Sequence, residues 1–229
     1  METHVLPDAE AVAREAAQLI VIEARAVVQG KGRFVMAVSG GRTPWIMLGH
    51  LSSMDMPWSA VHLLQVDERV APDGDPDRNW THLKESLLDH VPLRPEQVHA
   101  MPVNASDQTQ GASDYADVLT ALCGTPPAID LVHLGLGNDG HTASLVPGDP
   151  SLDVMDRFVA PCGIYQGRRR MTLTYPVLNA ARKIVWVVTG SEKADALAKL
   201  LAADPSIPAG RVVQDRAVAL VDREAARVA

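Results

Sequence analysis

Residues 129–145 read IDLVHLGLGNDGHTASL: an apolar run from Ile129 to Leu134, then a glycine-rich segment, Gly135 to Gly140, that closes on His141. A short apolar run bounded by turn residues has the length and setting of a strand buried on both faces, as in a parallel sheet. The same pattern recurs outward from it, at Arg33–Val38, Val61–Val66, Met171–Tyr175, Ile184–Thr189 and Ala217–Val221. Helical spacing fills the intervals. In residues 8–29, Val12, Ala16, Leu19, Ile20 and Val27 share a face, Asp8 is placed as the cap, and Gly30 and Gly32 end the helix. Further helical stretches are Thr81–His90, Ser113–Leu122, Glu192–Ala202 and Arg223–Ala229.

Strands alternating with helices predict an α/β fold: a three-layer, Rossmann-like, mostly parallel sheet with helices on both faces. Leu93–Met101 and Val154–Tyr165 are interrupted by Pro and Gly and give no clean pattern. No linker, low-complexity run or internal repeat divides the chain, so one continuous domain over residues 1–229 is expected.

Composition narrows the chemistry. The chain has 229 residues, 47% of them hydrophobic, and a net charge of −7 with a pI near 5.6. No broad basic field is present to hold a nucleic acid, although a few local donors suffice for a small anion. Cys123 and Cys162 are too few for a disulfide framework or a zinc cluster, and Cys123 reads as a small buried apolar residue at a helix end. The N-terminal METHVLPDAEAV has neither a basic n-region nor an apolar core, and no apolar run approaches the roughly 20 residues of a membrane span. A cytoplasmic protein with no membrane partner is expected.

In a parallel α/β sheet, ligands bind beyond the carboxyl ends of the strands. Four polar or glycine-rich segments follow strands here: SGGRTP, DERVAPDGDPDRNW, GLGNDGH and GSEK. Ser39-Gly40-Gly41-Arg42-Thr43-Pro44 joins a strand to a helix with Pro44 in its first turn. Two glycines, two hydroxyls and a helix N-terminus suit a phosphate, and the same residues suit a tight turn that needs glycine for its backbone alone. Gly135 to Gly140 fits the dinucleotide fingerprint G-x-G-x-x-G, yet Pro147 and Pro150 leave no room for the long helix that fingerprint requires. The match is read as accidental.

His141 on such a loop, two residues after Asp139, is placed for acid–base work, because an imidazole takes and returns protons near neutral pH. Asp139, or an acid from another loop, would fix its tautomer. His133, inside a strand, is read as core. Asp67 and Glu68 would either pair with Arg69, or leave an acid near His141 and a guanidinium for an anion. Arg170 opens RMTLTYP, and Lys193 sits in a helix's first turn, where a cation opposes the macrodipole unless an anion binds. No His-x-x-x-His, Cys-x-x-Cys or calcium-loop spacing is present, so no metal is expected. Ser144 lacks the flanking glycines of a nucleophile elbow.

Taken in order, SGGRTP, VDERVAPDGDPDRNW, LGLGNDGHTASLVPG and RRMTLTYPVLNAARKIVWVVTGSEKADAL resemble the 6-phosphogluconolactonase family over nearly the whole chain. The resemblance implies a sugar-phosphate isomerase-like fold and hydrolysis of 6-phosphogluconolactone, the second step of the oxidative pentose phosphate pathway. It implies no cofactor, a phosphorylated sugar lactone as the small-molecule partner, and a monomer. Its substrate contacts fall on Ser39, Gly40, Gly41, Thr43, Arg69, Arg170 and Lys193, and its base on His141, with Asp67 and Asp139 nearby. Arg42 departs from the serine usual in the first loop; it would strengthen phosphate binding or point to solvent. The related glucosamine-6-phosphate deaminases carry a glutamate shortly after Asp-Gly-His, where this chain has Val146, and a valine moves no proton.

Overall fold

The computed structural model describes residues 1–228. Its strands and helices run β1 (Glu2–Leu6), α1 (Ala9–Lys31), β2 (Phe34–Val38), α2 (Arg42–Ser52), β3 (Val61–Gln65), β4 (Asp67–Arg69), α3 (Asn79–Ser86), β5 (Val98–His99), α4 (Gln108–Cys123), β6 (Leu131–Gly135), β7 (Val159–Tyr165), β8 (Arg168–Leu173), α5 (Tyr175–Ala180), β9 (Ile184–Val188), α6 (Ala194–Leu201) and β10 (Ala217–Asp222). Seven strands form one sheet in the order β1-β10-β9-β6-β2-β3-β5. Every pairing in it is parallel.

Strand periodicity divides the apolar side chains between two cores. Along β2, Val35 and Ala37 enter the core that holds Tyr115 and Leu119 of α4, Val177 and Leu178 of α5, and Leu197 and Leu200 of α6. Phe34, Met36 and Val38 enter the opposite core, with Ile20 of α1, Met47 and Leu48 of α2, and Leu83 of α3. β9 divides the same way, Ile184 and Trp186 against Val185 and Val187. These central strands are buried on both faces, which explains why the sequence shows runs rather than alternation. The predicted cap of α1 forms as read: Asp8 accepts from the Ala11 amide at 2.9 Å. The helix continues through Gly30, and Gly32 ends it with φ 74°, donating its N–H to the Val28 carbonyl.

Three differences from the sequence reading matter for the site. The predicted strand Met171–Tyr175 lies instead at Arg168–Leu173, outside the parallel sheet, in an antiparallel ribbon of order β4-β8-β7. Asp67–Arg69 forms a strand of that ribbon rather than a loop after β3. β1, at the sheet edge, passes unread because its side chains are mostly exposed. Thr81–His90 resolves into α3 and a separate 3-10 turn, Leu88–His90. The stretch Arg223–Ala229 holds a 3-10 turn at Ala225–Val228, and Ala229 lies outside the described residues. Cys123 is half-buried at the end of α4, packed on the core. Among the described residues no helix is long and apolar enough to cross a membrane.

Candidate active site

β2 and β6 are neighbours, but the chain leaves β2 toward β3 and β5 and leaves β6 toward β9 and β10. Connections that depart in opposite directions open a crevice above the carboxyl ends of the two strands. A cavity of about 600 Å³ lies there. Its wall includes Ser39, Gly40, Gly41, Arg42 and Thr43 after β2, Gly135, Gly137 and His141 after β6, and Thr189, Gly190 and Lys193 after β9. Asp67, Arg69 and Arg170 reach it from the antiparallel ribbon.

The loop after β6 is shaped around one ring. His141 Nδ1 lies 2.6 Å from Asp139 Oδ1, which also accepts the His141 main-chain N–H at 3.1 Å. That contact places the Nδ1 proton toward the carboxylate and leaves Nε2 free of protein partners among the described residues. Burial works to raise the Asp139 pKa, but the hydrogen bonds and charge of His141 and the Tyr165 hydroxyl outweigh it and hold the carboxyl below its ordinary value. The glycines of the apparent fingerprint serve this packing. A Cβ on Gly137 would lie 2.1 Å from His141 Nδ1, and one on Gly140, at φ 82°, would lie 2.5 Å from Ile207 Cβ.

The ribbon supplies acids and cations. Asp67 is buried and accepts from Ser144 Oγ at 2.6 Å. Glu68 does not pair with Arg69. Fully buried, it accepts the amides of Arg69, Asn79 and Trp80 and the Gln65 side-chain amide at 2.7–2.9 Å, with Arg78 Nε at 3.2 Å. Glu68 therefore fixes the turn into α3 and the backbone that carries Arg69. Arg69 and Arg170 are register partners on adjacent strands. Like charges placed directly opposite repel, so an anion between them would be stabilising. Burial pulls the Arg170 pKa down; nearby Asp67 works against this, and Arg69 adds to it.

On the opposite wall, α2 begins at Gly41, whose φ of 136° needs glycine, with no side-chain cap on the helix N-terminus. Gly40 is needed for space, since a Cβ there would meet Asn79 Oδ1 at 2.1 Å. Thr43 Oγ1 is 2.7 Å from Thr189 Oγ1, tying the first loop to the one after β9. Buried His133 Nδ1 accepts the Ser39 amide at 3.2 Å, and burial depresses this imidazole to about 3. Lys193 is the N-cap residue of α6 and, like Arg42, makes no ion pair among the described residues. Ser39 Oγ, Asn79 Oδ1 and the Nε atoms of Arg69 and Arg170 are buried without hydrogen-bond partners among the described residues.

All seven residues assigned to substrate contact, Ser39, Gly40, Gly41, Thr43, Arg69, Arg170 and Lys193, line this one cavity, together with His141 and Asp67. Asp139 stands behind His141, bonded to it. Arg42 is exposed and borders the same cavity. Asn79, Thr189 and Tyr165 escaped the sequence reading. Asn79 sits in the quoted segment DERVAPDGDPDRNW and was recoverable from it. Tyr165 lies in a stretch broken by Pro161 and Gly163, and nothing local marks it.

Residues 7–221 match the family described as glucosamine-6-phosphate isomerases/6-phosphogluconolactonase. The chain is similar to the 6-phosphogluconolactonase of Nostoc sp., 36% identical over 202 residues that cover 86% of this chain and 84% of the relative. It is similar to that of Mycobacterium tuberculosis, 34% identical over 236 residues that cover 97% and 96%. Among solved structures, 6-phosphogluconolactonase from Trypanosoma cruzi superposes with a TM-score of 0.89 at 25% identity, covering 99% of this chain and 96% of that one. A monomeric glucosamine-6-phosphate deaminase shares the fold, with a TM-score of 0.86 at 18% identity over 100% of both chains.

Proposed function

The chain belongs to the glucosamine-6-phosphate isomerase/6-phosphogluconolactonase family, and we propose that it hydrolyses 6-phospho-D-glucono-1,5-lactone to 6-phospho-D-gluconate with His141 as general base. The observation that carries this reading is an imidazole, aligned by Asp139 at 2.6 Å, in the same cavity as a cation-rich, glycine-lined wall. Nε2 of His141 takes a proton from water as the water oxygen bonds to C1 of the lactone. The tetrahedral intermediate collapses, the bond from C1 to the ring oxygen breaks, and the imidazolium returns the proton to that oxygen. C1 leaves as a carboxylic acid and ionises. A lactone is an activated ester, so one base together with positioning suffices, without a covalent intermediate.

The phosphate is the handle. Arg69, Arg170 and Lys193, with the amides of the Ser39–Thr43 loop, hold it, and binding energy gained there fixes C1 beneath the base. Asp67 keeps the ribbon cations partly neutralised and lies on the cavity wall. A deaminase needs an acid–base group in the position of Val146, which is buried and apolar; the lactonase reading does not.

The test is lactone hydrolysis at mildly acidic pH, where spontaneous opening is slow. His141→Ala should lower kcat by about 10²- to 10⁴-fold and leave binding of 6-phosphogluconate intact. A kcat within a few-fold of the parent removes His141 as the base. Ammonia release from glucosamine 6-phosphate, without lactone hydrolysis, would place the chain with the deaminases instead.

A further inference from the structure

Tyr165 ends β7 at the tip of a hairpin whose two-residue turn, Gln166 and Gly167, has φ of 52° and 79°. Positive φ at both turn residues matches the twist of the strands and makes a tight, stiff hairpin. Its far side is anchored by Arg168, which lies 3.1 Å from Asp75 and 2.9 Å from Asp77. Its near side leans on the base. The Tyr165 hydroxyl donates to Asp139 Oδ2 at 2.9 Å and lies 3.4 Å from His141 Nδ1. The two rings meet edge to face with centroids 5.1 Å apart, and the Arg170 guanidinium lies 5.0 Å from the tyrosine centroid. Tyr165 meets the site through its neighbours Asp139, His141 and Arg170.

We propose that Tyr165 is a positioning residue for the hydrolysis, holding Asp139 by its second oxygen so that the first stays on His141 Nδ1 and Nε2 keeps one direction into the cavity. The inference rests on His141 being the base. Asp139 is part-exposed, and a carboxylate bonded through one oxygen alone is free to swing toward water. With Oδ1 taken by His141 and Oδ2 by Tyr165, both ends are fixed. Burial, then the neighbouring Asp139 charge, raises the Tyr165 pKa above its ordinary value, so the hydroxyl stays a donor at neutral pH. The ring edge also limits rotation of the imidazole, and the face turned to Arg170 links base and cation in one rigid stack.

Tyr165→Phe removes the hydroxyl and keeps the ring, its contact with Arg170 and the fold, which thermal melting verifies. In the full chain kcat should fall about 2- to 10-fold, the worth of one net hydrogen bond, with KM for the lactone unchanged. In an Asp139→Asn background the same substitution should cost much less, because the carboxylate it steadies is gone. A parental kcat in Tyr165→Phe, a loss confined to KM, or an equal fold-loss in both backgrounds overturns the inference. Parental activity in Tyr165→Phe beside an inactive His141→Ala overturns it alone; an active His141→Ala overturns the base as well.

Discussion

Gly137→Ala adds one methyl group at the point where the loop after β6 folds over its own histidine. The new Cβ would stand 2.1 Å from Nδ1 and 2.3 Å from Cε1 of His141, and 2.6 Å from Asp139 Oδ1. Gly137 is not in the left-handed region, so alanine is compatible with its backbone and the effect isolates to that contact. To reach an ordinary separation of about 3.5 Å, the imidazole must give way by about 1.4 Å. A displacement of about 1 Å at a reacting group costs on the order of 10²-fold in rate. Turnover of the lactone should therefore fall by about that factor, while calorimetric binding of 6-phosphogluconate holds, since the loops proposed to hold the phosphate are untouched. Gly30→Ala, where an added Cβ meets nothing within 4 Å, is the control and should leave kcat unchanged. If Gly137→Ala turned over at a rate within a few-fold of the parent, the claim that this glycine makes room for a precisely placed ring would be refuted.

Arg170→Met and Lys193→Met should each weaken the phosphorylated lactone by about 1.5–3 kcal/mol, the worth of a charge-assisted contact, and narrow the preference over the unphosphorylated lactone in parallel kcat/KM measurements. Ser144→Ala should keep measurable turnover. Ser144 is fully buried on Asp67, so urea unfolding should register a loss of about 1.5–3 kcal/mol, whereas a nucleophilic serine would take nearly all activity with it. His133, near 6.5 when unfolded, is depressed to about 3 by burial. The unfolded chain thus binds the extra proton, and the stability this ring contributes is present above pH 6.5 and lost as pH falls toward 3. The slope from this one group is at most about 1.4 kcal/mol per pH unit. Urea midpoints between pH 7 and 4 should fall more steeply in the parent than in His133→Gln; parallel slopes would show that the ring titrates unperturbed.

The five central parallel strands were legible because burial on both faces leaves little choice of residue. Phe34–Val38 and Ile184–Val188 are buried at every position, and such runs announce themselves without any partner. The loops of the site were legible for a different reason: glycine, proline and lone cations beyond a strand end are costly without a purpose. The match of Gly135, Gly137 and Gly140 to a dinucleotide fingerprint shows the limit of that logic. Spacing records that glycine is needed, not why, and here the needs at Gly137 and Gly140 are a histidine ring and the side chain of Ile207.

The ribbon was legible only at Met171–Leu173, because its stabilising partners are distant in sequence. Arg168–Arg170 open β8 with three cations in a row, a pattern no propensity assigns to a strand. Two are accounted for only by the fold, Arg168 by Asp75 and Asp77 in the loop after β4 and Arg170 by the Tyr165 face and the cavity, while Arg169 is exposed and its carbonyl accepts the Val70 amide. Asp67, Glu68 and Arg69 likewise look like local ion pairs until both acids are seen to be buried, Asp67 on Ser144 and Glu68 on α3 and Arg78. A charge that pairs with its neighbour in sequence is spent there. These charges are placed by strand register, and Arg69 and Arg170, set side by side with Asp67 nearby, would be stabilised further by an anion between them. The antiparallel ribbon therefore sets two register-paired cations beside the amides, hydroxyls and lone cations, Arg42 and Lys193, of the strand-end loops.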